Sequence, residues 1–141
     1  MSDRPEWWPL LEASVKQHEG LRLRLYTDTV GKLSIGYGRN LSDRGITQAE
    51  ADLMLAHDLD VAYRESLAAW PWLRTQTAGR IMVVVEMALN MGVPRLRGFG
   101  RFLEALRMGR YSEAAHEMID SRWKAQVGQR AITLAERMRR G

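Results

Sequence analysis

The 141-residue sequence contains no cysteine. No disulfide can staple the chain and no thiolate can hold a metal. This usage suits folding in a reducing compartment. Histidine is scarce as well. His18, His57 and His116 show no metal-ligand spacing, so they are read as surface or packing residues, and no metal or cofactor is expected. No apolar run reaches the roughly 20 residues of a membrane span. The opening stretch, MSDRPEWWPLLEASVKQHEG, carries acidic residues and Pro5 where a secretory leader needs a basic start and an unbroken apolar run. The expectation is a protein made in the host cytoplasm without a signal peptide. Any target outside must then be reached by release or delivery. Internal repeats, low-complexity tracts and long linkers are also missing, so one domain over 1–141 is expected. At that size roughly 68–70% of the unfolded surface can be buried.

The charge that is present is uneven. Residues 1–94 hold 10 Lys/Arg against 12 Asp/Glu, whereas residues 95–141 hold 11 against 5. A basic second half suits an anionic partner such as nucleic acid, a membrane surface or an acidic wall polymer. The cations Arg95, Arg97, Arg101, Arg107 and Arg110 are scattered at helical spacing. Solvated helix faces account for most of them.

The periodicity predicts a helix over residues 5–18. Trp7, Leu11, Ser14, Val15 and His18 share one face, Pro5 lies in the first turn, and Gly20 caps the end just after Glu19. From residue 21 to 39 the period becomes two. Leu21, Leu23 and Leu25 alternate with Arg22 and Arg24, as in a half-buried strand. A turn around Gly31 leads to Leu33, Ile35 and Tyr37, with Ser34 on the opposite face. Gly36 and Gly38 leave room for a close approach to the backbone. A polar connection over 40–46 leads to Thr47 and Glu50, a capping box that opens a long helix to about residue 68. Trp70-Pro71-Trp72 breaks it. Residues 77–91 are apolar on nearly every side. Val83 to Val85 favour strand, but the length and the Met, Ala and Leu content favour a core helix. Glu86 is its one interior charge and a candidate for a cleft, although such a residue is more often half-exposed or paired. Shorter helices follow around Phe102, after a Ser112 cap, at Ser121-Arg122-Trp123, and beyond Gly128. The fold class is α+β, mostly α. A small β-hairpin lobe of about residues 20–46 is joined by a long helix to a helical body, residues 1–19 and 47–141, with a buried central helix.

Cleaving a glycosidic bond needs a general acid for the leaving oxygen and a second group on the far side of the sugar. Glu19 and Asp28 are of the right type. Glu19 sits at a helix C-terminus, whose partial negative charge favours the protonated acid, and Asp28 lies in a more solvated turn. Among 17 acidic residues, two this close are expected by chance, so the pair alone carries little.

The block EGLRLRLYTDTVGKLSIGYGR closely resembles the catalytic segment of phage-type lysozymes, glycoside hydrolase family 24. That pattern is Glu, eight residues, Asp or Cys, five residues, Thr. Eight residues separate Glu19 from Asp28, and five separate Asp28 from Ser34. GITQAEADLMLAHDLDVA, MALNMGVPRLRGFGRFLEAL and YSEAAHEMIDSRWKAQ followed by Arg130 extend the resemblance to roughly residues 8–138. It implies a lysozyme-like fold and an inverting muramidase that cleaves the N-acetylmuramic acid–N-acetylglucosamine β-1,4 bond without a cofactor. Glu19 would be the general acid. Asp28 would position or activate water, and Ser34 would help to hold it. Arg130 matches an arginine near the catalytic Glu, a cation that opposes the helix-end effect. Asn90 stands where an amide often faces the substrate. Ser34 replaces Thr and Arg39 stands where His is common, so Arg39 would support the lobe by a different polar contact. The short 40–46 connection implies a small β-lobe. The partner is then bacterial peptidoglycan rather than nucleic acid, with the protein acting as a monomeric endolysin that lyses bacteria. A membrane-pore partner or carriage in a virion would deliver it. A lytic transglycosylase, which needs the acid but not the water-holding carboxylate, is the rival enzyme. A catalytically weak wall-binding module of the same fold is the rival outside catalysis.

Overall fold

The computed structural model describes residues 3–141. It is α+β and mostly helical. Among the described residues there are nine α-helices and one three-stranded antiparallel sheet in the order β1-β2-β3. The chain divides into two compact units, the first ending at Asp52 and the second running from Leu53 to Gly141.

The first unit contains α1 (Trp8–Glu19), β1 (Arg22–Thr27), β2 (Leu33–Gly36), β3 (Arg39–Asn40) and α2 (Leu41–Arg44). Helix α1 starts at Trp8, three residues after the predicted start, so Pro9 and not Pro5 lies in its first turn. Gly20 ends the helix at φ 70°, donating its N–H to the Lys16 carbonyl at 3.0 Å. The hairpin pairs Tyr26 with Ser34 and Thr27 with Leu33, and is irregular between Arg22 and Tyr26. A third strand, β3, adds Asn40 opposite Ser34 and Arg39 opposite Ile35. The 40–46 segment, read as a plain polar connection, holds the last residue of this strand and α2. Asn40 supplies the cap, its Oδ1 accepting the Asp43 N–H at 3.1 Å.

Burial in this unit differs from the pattern in the sequence. No residue of α1 is buried, and Leu21, Leu23 and Leu25 are exposed, Leu23 at 80%. Alternation fixes which side of a strand a residue occupies; it does not supply a covering layer. Among the described residues up to Asp52, only Ser34 is buried.

Helix α3 (Gln48–Ala69) starts at the expected capping box. Thr47 N–H donates to Glu50 Oε1 at 2.8 Å, and Glu50 N–H donates to Thr47 Oγ1 at 3.1 Å. It carries the chain into the second unit and ends at a 3-10 turn, Pro71–Thr75. The apolar core lies in this second unit, from Ala62 to Met138. Its central element is α4 (Ala78–Met91), which buries Val83, Val84, Met87 and Ala88. Helix α5 (Val93–Leu96) follows Gly92. Helix α6 (Gly100–Arg107) buries Phe102, Leu103 and Leu106, α7 (Tyr111–Ile119) buries Ala114, Ala115 and Met118, and α8 (Arg122–Val127) buries Trp123. Helix α9 (Gln129–Arg140) packs on α4, α7 and α8. Helix α8 begins at Ser121-Arg122-Trp123 as expected, and Ser121 caps it by accepting the Lys124 N–H at 3.3 Å. Ser112 caps nothing: Gly109 at φ 76° turns the chain earlier, and α7 starts at Tyr111.

Arg80 is a core residue that helical periodicity does not single out. It is 7% exposed. Its Nε donates to the Met138 carbonyl at 2.8 Å and its Nη2 to the Arg139 carbonyl at 2.9 Å. Its guanidinium carbon lies 3.3 Å from the centroid of the Tyr111 ring. The side chain thus satisfies carbonyls that the end of α9 would otherwise leave without donors. Arg80→Met keeps most of the aliphatic stem and removes the donors. The expected loss is about 2 kcal/mol, on the scale of charged hydrogen bonds, read as a lower urea midpoint. A midpoint equal to the wild type would show that α9 does not depend on this contact.

Candidate active site

Asp28 is fixed by the turn it makes. Its Oδ1 accepts the backbone N–H of Val30 at 3.0 Å and of Lys32 at 2.8 Å. Its own N–H donates to the Lys32 carbonyl at 2.8 Å, and its carbonyl accepts the Gly31 N–H at 3.1 Å. A short acidic side chain can replace a backbone acceptor in this way, which is why Asp is favoured in turns. With Oδ1 committed, Oδ2 accepts the Ser34 hydroxyl at 3.4 Å. Ser34 is 2% exposed. A buried hydroxyl needs a partner, and Asp28 supplies it.

Glu19 ends α1, and its carboxylate lies against the turn between β2 and β3. A Cβ built on Gly38 would lie 2.6 Å from Glu19 Oε2. Gly38 also has φ 75°, so a side chain there meets both steric and backbone strain. The carboxylate therefore occupies the space that a side chain at position 38 would fill. One turn back on α1, Lys16 Nζ lies 5.6 Å from the centroid of the Tyr37 ring.

Arg39 follows directly. Its Nη1 donates to Glu50 Oε1 at 2.8 Å and to the Gly45 carbonyl at 3.1 Å, and its Nη2 donates to Glu50 Oε2. This is a bidentate fork. The Arg39 hydrogen bond, reinforced by the Thr47 N–H, lowers the Glu50 pKa from 4.5 to about 2. The same pair raises that of Arg39.

Three other residues of interest lie in the second unit. Asn90 Oδ1 accepts the Trp123 indole N–H at 2.8 Å, which leaves its Nδ2 for any further partner. Arg130 Nε donates to Glu86 Oε2 at 2.9 Å. This pair lies at a cavity of about 510 Å³ lined otherwise by Leu59, Tyr63, Ile81, Met82, Val85 and Leu89. Glu86 is thus paired, and it is not the one interior charge of α4 that the sequence suggested, because Arg80 is the more deeply buried charge of that helix.

The structure brings Asp28 to Ser34, Glu19 to Gly38, and Arg39 to Glu50. Gly38 and Glu50 were not picked out as site residues from the sequence. Gly38 reads there only as room for a close approach, and Glu50 only as a helix cap. The signal lay in adjacency: Gly38 precedes Arg39, and Glu50 offers a carboxylate already held in place.

A mostly helical α+β chain with acidic side chains fixed on a small antiparallel sheet is lysozyme-like in fold. Residues 16–140 match the phage lysozyme family, and the chain belongs to it. Its members are muramidase-type peptidoglycan hydrolases. A protein of Dictyostelium discoideum named probable T4-type lysozyme 1 is 27% identical over 147 aligned residues, covering 83% of this chain and 86% of the relative.

Two outcomes follow from this geometry. Gly38→Ala should displace the Glu19 carboxylate, read by NMR as a shift of its side-chain carboxyl resonance. A folded variant with that resonance unmoved would contradict this. Glu50 has a folded pKa below its unfolded value, so its contribution is complete above about pH 4.5 and is lost as pH falls toward about 2. Denaturation followed across that window should show a loss of stability in the wild type that is smaller in Glu50→Gln. Identical pH dependence in the two would remove Glu50 from the account.

Proposed function

We propose that this protein is a muramidase that cleaves the β-1,4 bond between N-acetylmuramic acid and N-acetylglucosamine with inversion. The observation that carries this reading is the fixed Asp28–Ser34 pair. One Asp28 oxygen is saturated by turn amides and the other is turned to a buried hydroxyl. Such an acceptor with a hydroxyl beside it suits the holding and deprotonation of a water molecule. Glu19 acts as general acid and gives its proton to the glycosidic oxygen as the bond to the anomeric carbon breaks. The water held by Asp28 and Ser34 attacks that carbon from the opposite face and yields its proton to Asp28. Ser34, lacking the methyl of Thr, keeps the hydroxyl but with a less restricted rotamer. Asn90 Nδ2 is a donor for an acetamido or hydroxyl oxygen, and Arg130 is a supporting cation.

In this reading the protein works as a monomeric endolysin. It is made in the cytoplasm and reaches the peptidoglycan through a membrane lesion made by a partner or by carriage in a virion. Its basic second half favours an anionic wall.

The test is clearing of outer-membrane-permeabilised Gram-negative cells. Wild type should clear them, and Glu19→Gln and Asp28→Asn should each be slower by at least about 100-fold, the lower end of the usual range for general acid–base catalysis. Product NMR should show the inverted anomer as the first sugar released. Terminal 1,6-anhydromuramic acid would replace hydrolysis with transglycosylation. Wall binding without clearing would make the chain a binding module.

A further inference from the structure

We propose that Glu50 is a positioning residue for Glu19, acting through Arg39 and the Gly38 backbone. This rests on the reading of Glu19 as the acid. A continuous path runs from Glu50 to Glu19. Glu50 is held in place by the start of α3, where its Oε1 accepts the Thr47 N–H at 2.8 Å. The same oxygen accepts Arg39 Nη1 at 2.8 Å, and the second oxygen accepts Nη2. Arg39 is tied further to the Gly45 carbonyl at 3.1 Å and pairs through β3 with Ile35 of β2. Gly38, the residue before it, is the surface against which Glu19 Oε2 rests.

Each contact restricts the next. A single hydrogen bond would leave the Arg39 guanidinium free to rotate, whereas a fork sets both its direction and its plane. Fixing Arg39 from both sides, by the β2 ladder and by Glu50, restricts the peptide that joins it to Gly38. Gly38 at φ 75° is the residue type with the widest backbone freedom. Without the clamp, that peptide is the part of the turn most able to move, and the Glu19 carboxylate loses its fixed support. The sequence shows Glu50 only as the last member of a capping box. The structure gives the same carboxylate two tasks, starting α3 and holding the turn beneath Glu19.

The two tasks separate by mutation. Thr47→Ala weakens the start of α3 by removing the Oγ1 acceptor and leaves the Arg39–Glu50 fork intact. Glu50→Gln keeps an oxygen acceptor for the Thr47 N–H but loses the charge and one acceptor of the fork. We expect Glu50→Gln to lower kcat about tenfold, with KM within about twofold. Thr47→Ala, at a comparable loss of Tm, should keep kcat within about twofold of wild type. Arg39→Lys, which keeps the charge but not the fork, should fall with Glu50→Gln. Equal kcat losses in Thr47→Ala and Glu50→Gln would reduce Glu50 to a stabilising role and overturn the proposal.

An activity-independent measurement keeps this test separate from the function itself. NMR of the Gly38 amide and the Glu19 side-chain carboxyl should show clear shifts in Glu50→Gln and in Arg39→Lys but not in Thr47→Ala. If neither resonance moves in the fork variants, the positioning role is wrong whether or not the protein clears cells. If both move while wild type and Glu19→Gln clear equally, the positioning holds and the catalytic reading of Glu19 fails.

Discussion

Among the described residues, buried apolar side chains are confined to the second unit, from Ala62 to Met138, and this constrains everything else in the fold. The segment that carries Glu19, Asp28 and Ser34 has no such core among its described residues, so directed polar contacts must shape it. Asp28 gathers three donors, two turn amides and the Ser34 hydroxyl of β2. Arg39 and Glu50 join β3 to the start of α3. Glycines at φ 72° and 75° bracket Tyr37 and turn the chain from β2 into β3. Hydrogen bonds of this kind are individually worth about 1 kcal/mol. Their value in this unit lies in orientation, because each fixes the direction of a side chain that burial would leave undetermined.

The second unit follows the opposite rule. Helices α4, α6, α7 and α9 meet through Val, Leu, Met, Phe and Ala side chains, and the helical period selects which face is inward. Polar groups appear there where the backbone demands them. Arg80 meets the carbonyls at the end of α9, and the Trp123 indole meets Asn90. The Glu86–Arg130 pair borders an otherwise apolar cavity. Both side chains keep more than a third of their surface in solvent, so the pair sits at the cavity rim and water screens it.

The helical body was largely legible in the sequence. The capping box at Thr47 and Glu50, the break at Trp70-Pro71-Trp72 and the apolar helix over 77–91 all follow from local chemistry that is indifferent to distant contacts. The stretch Val83 to Val85 was ambiguous between strand and helix, and burial along α4 with a Thr77 cap resolves it. The site was legible as a motif but not as an arrangement. The spacing of Glu19, Asp28 and Ser34 carries the family resemblance. It does not say that Asp28 is locked by the amides of Val30 and Lys32, or that Ser34 is the buried residue of its strand while Leu33 is exposed.

By itself the sequence determined the family, the α+β class and most helix limits, because these depend on periodicity, capping and spacing along the chain. The tertiary structure alone decided which carboxylates have partners. Arg39 reaches Glu50 across 11 residues, and Arg130 reaches Glu86 across 44. It also decided that Gly38 lies under Glu19 and that the alternating leucines of β1 stay in solvent. Local pattern sets the direction in which a side chain leaves the backbone. Only the packing of distant segments determines what it meets there.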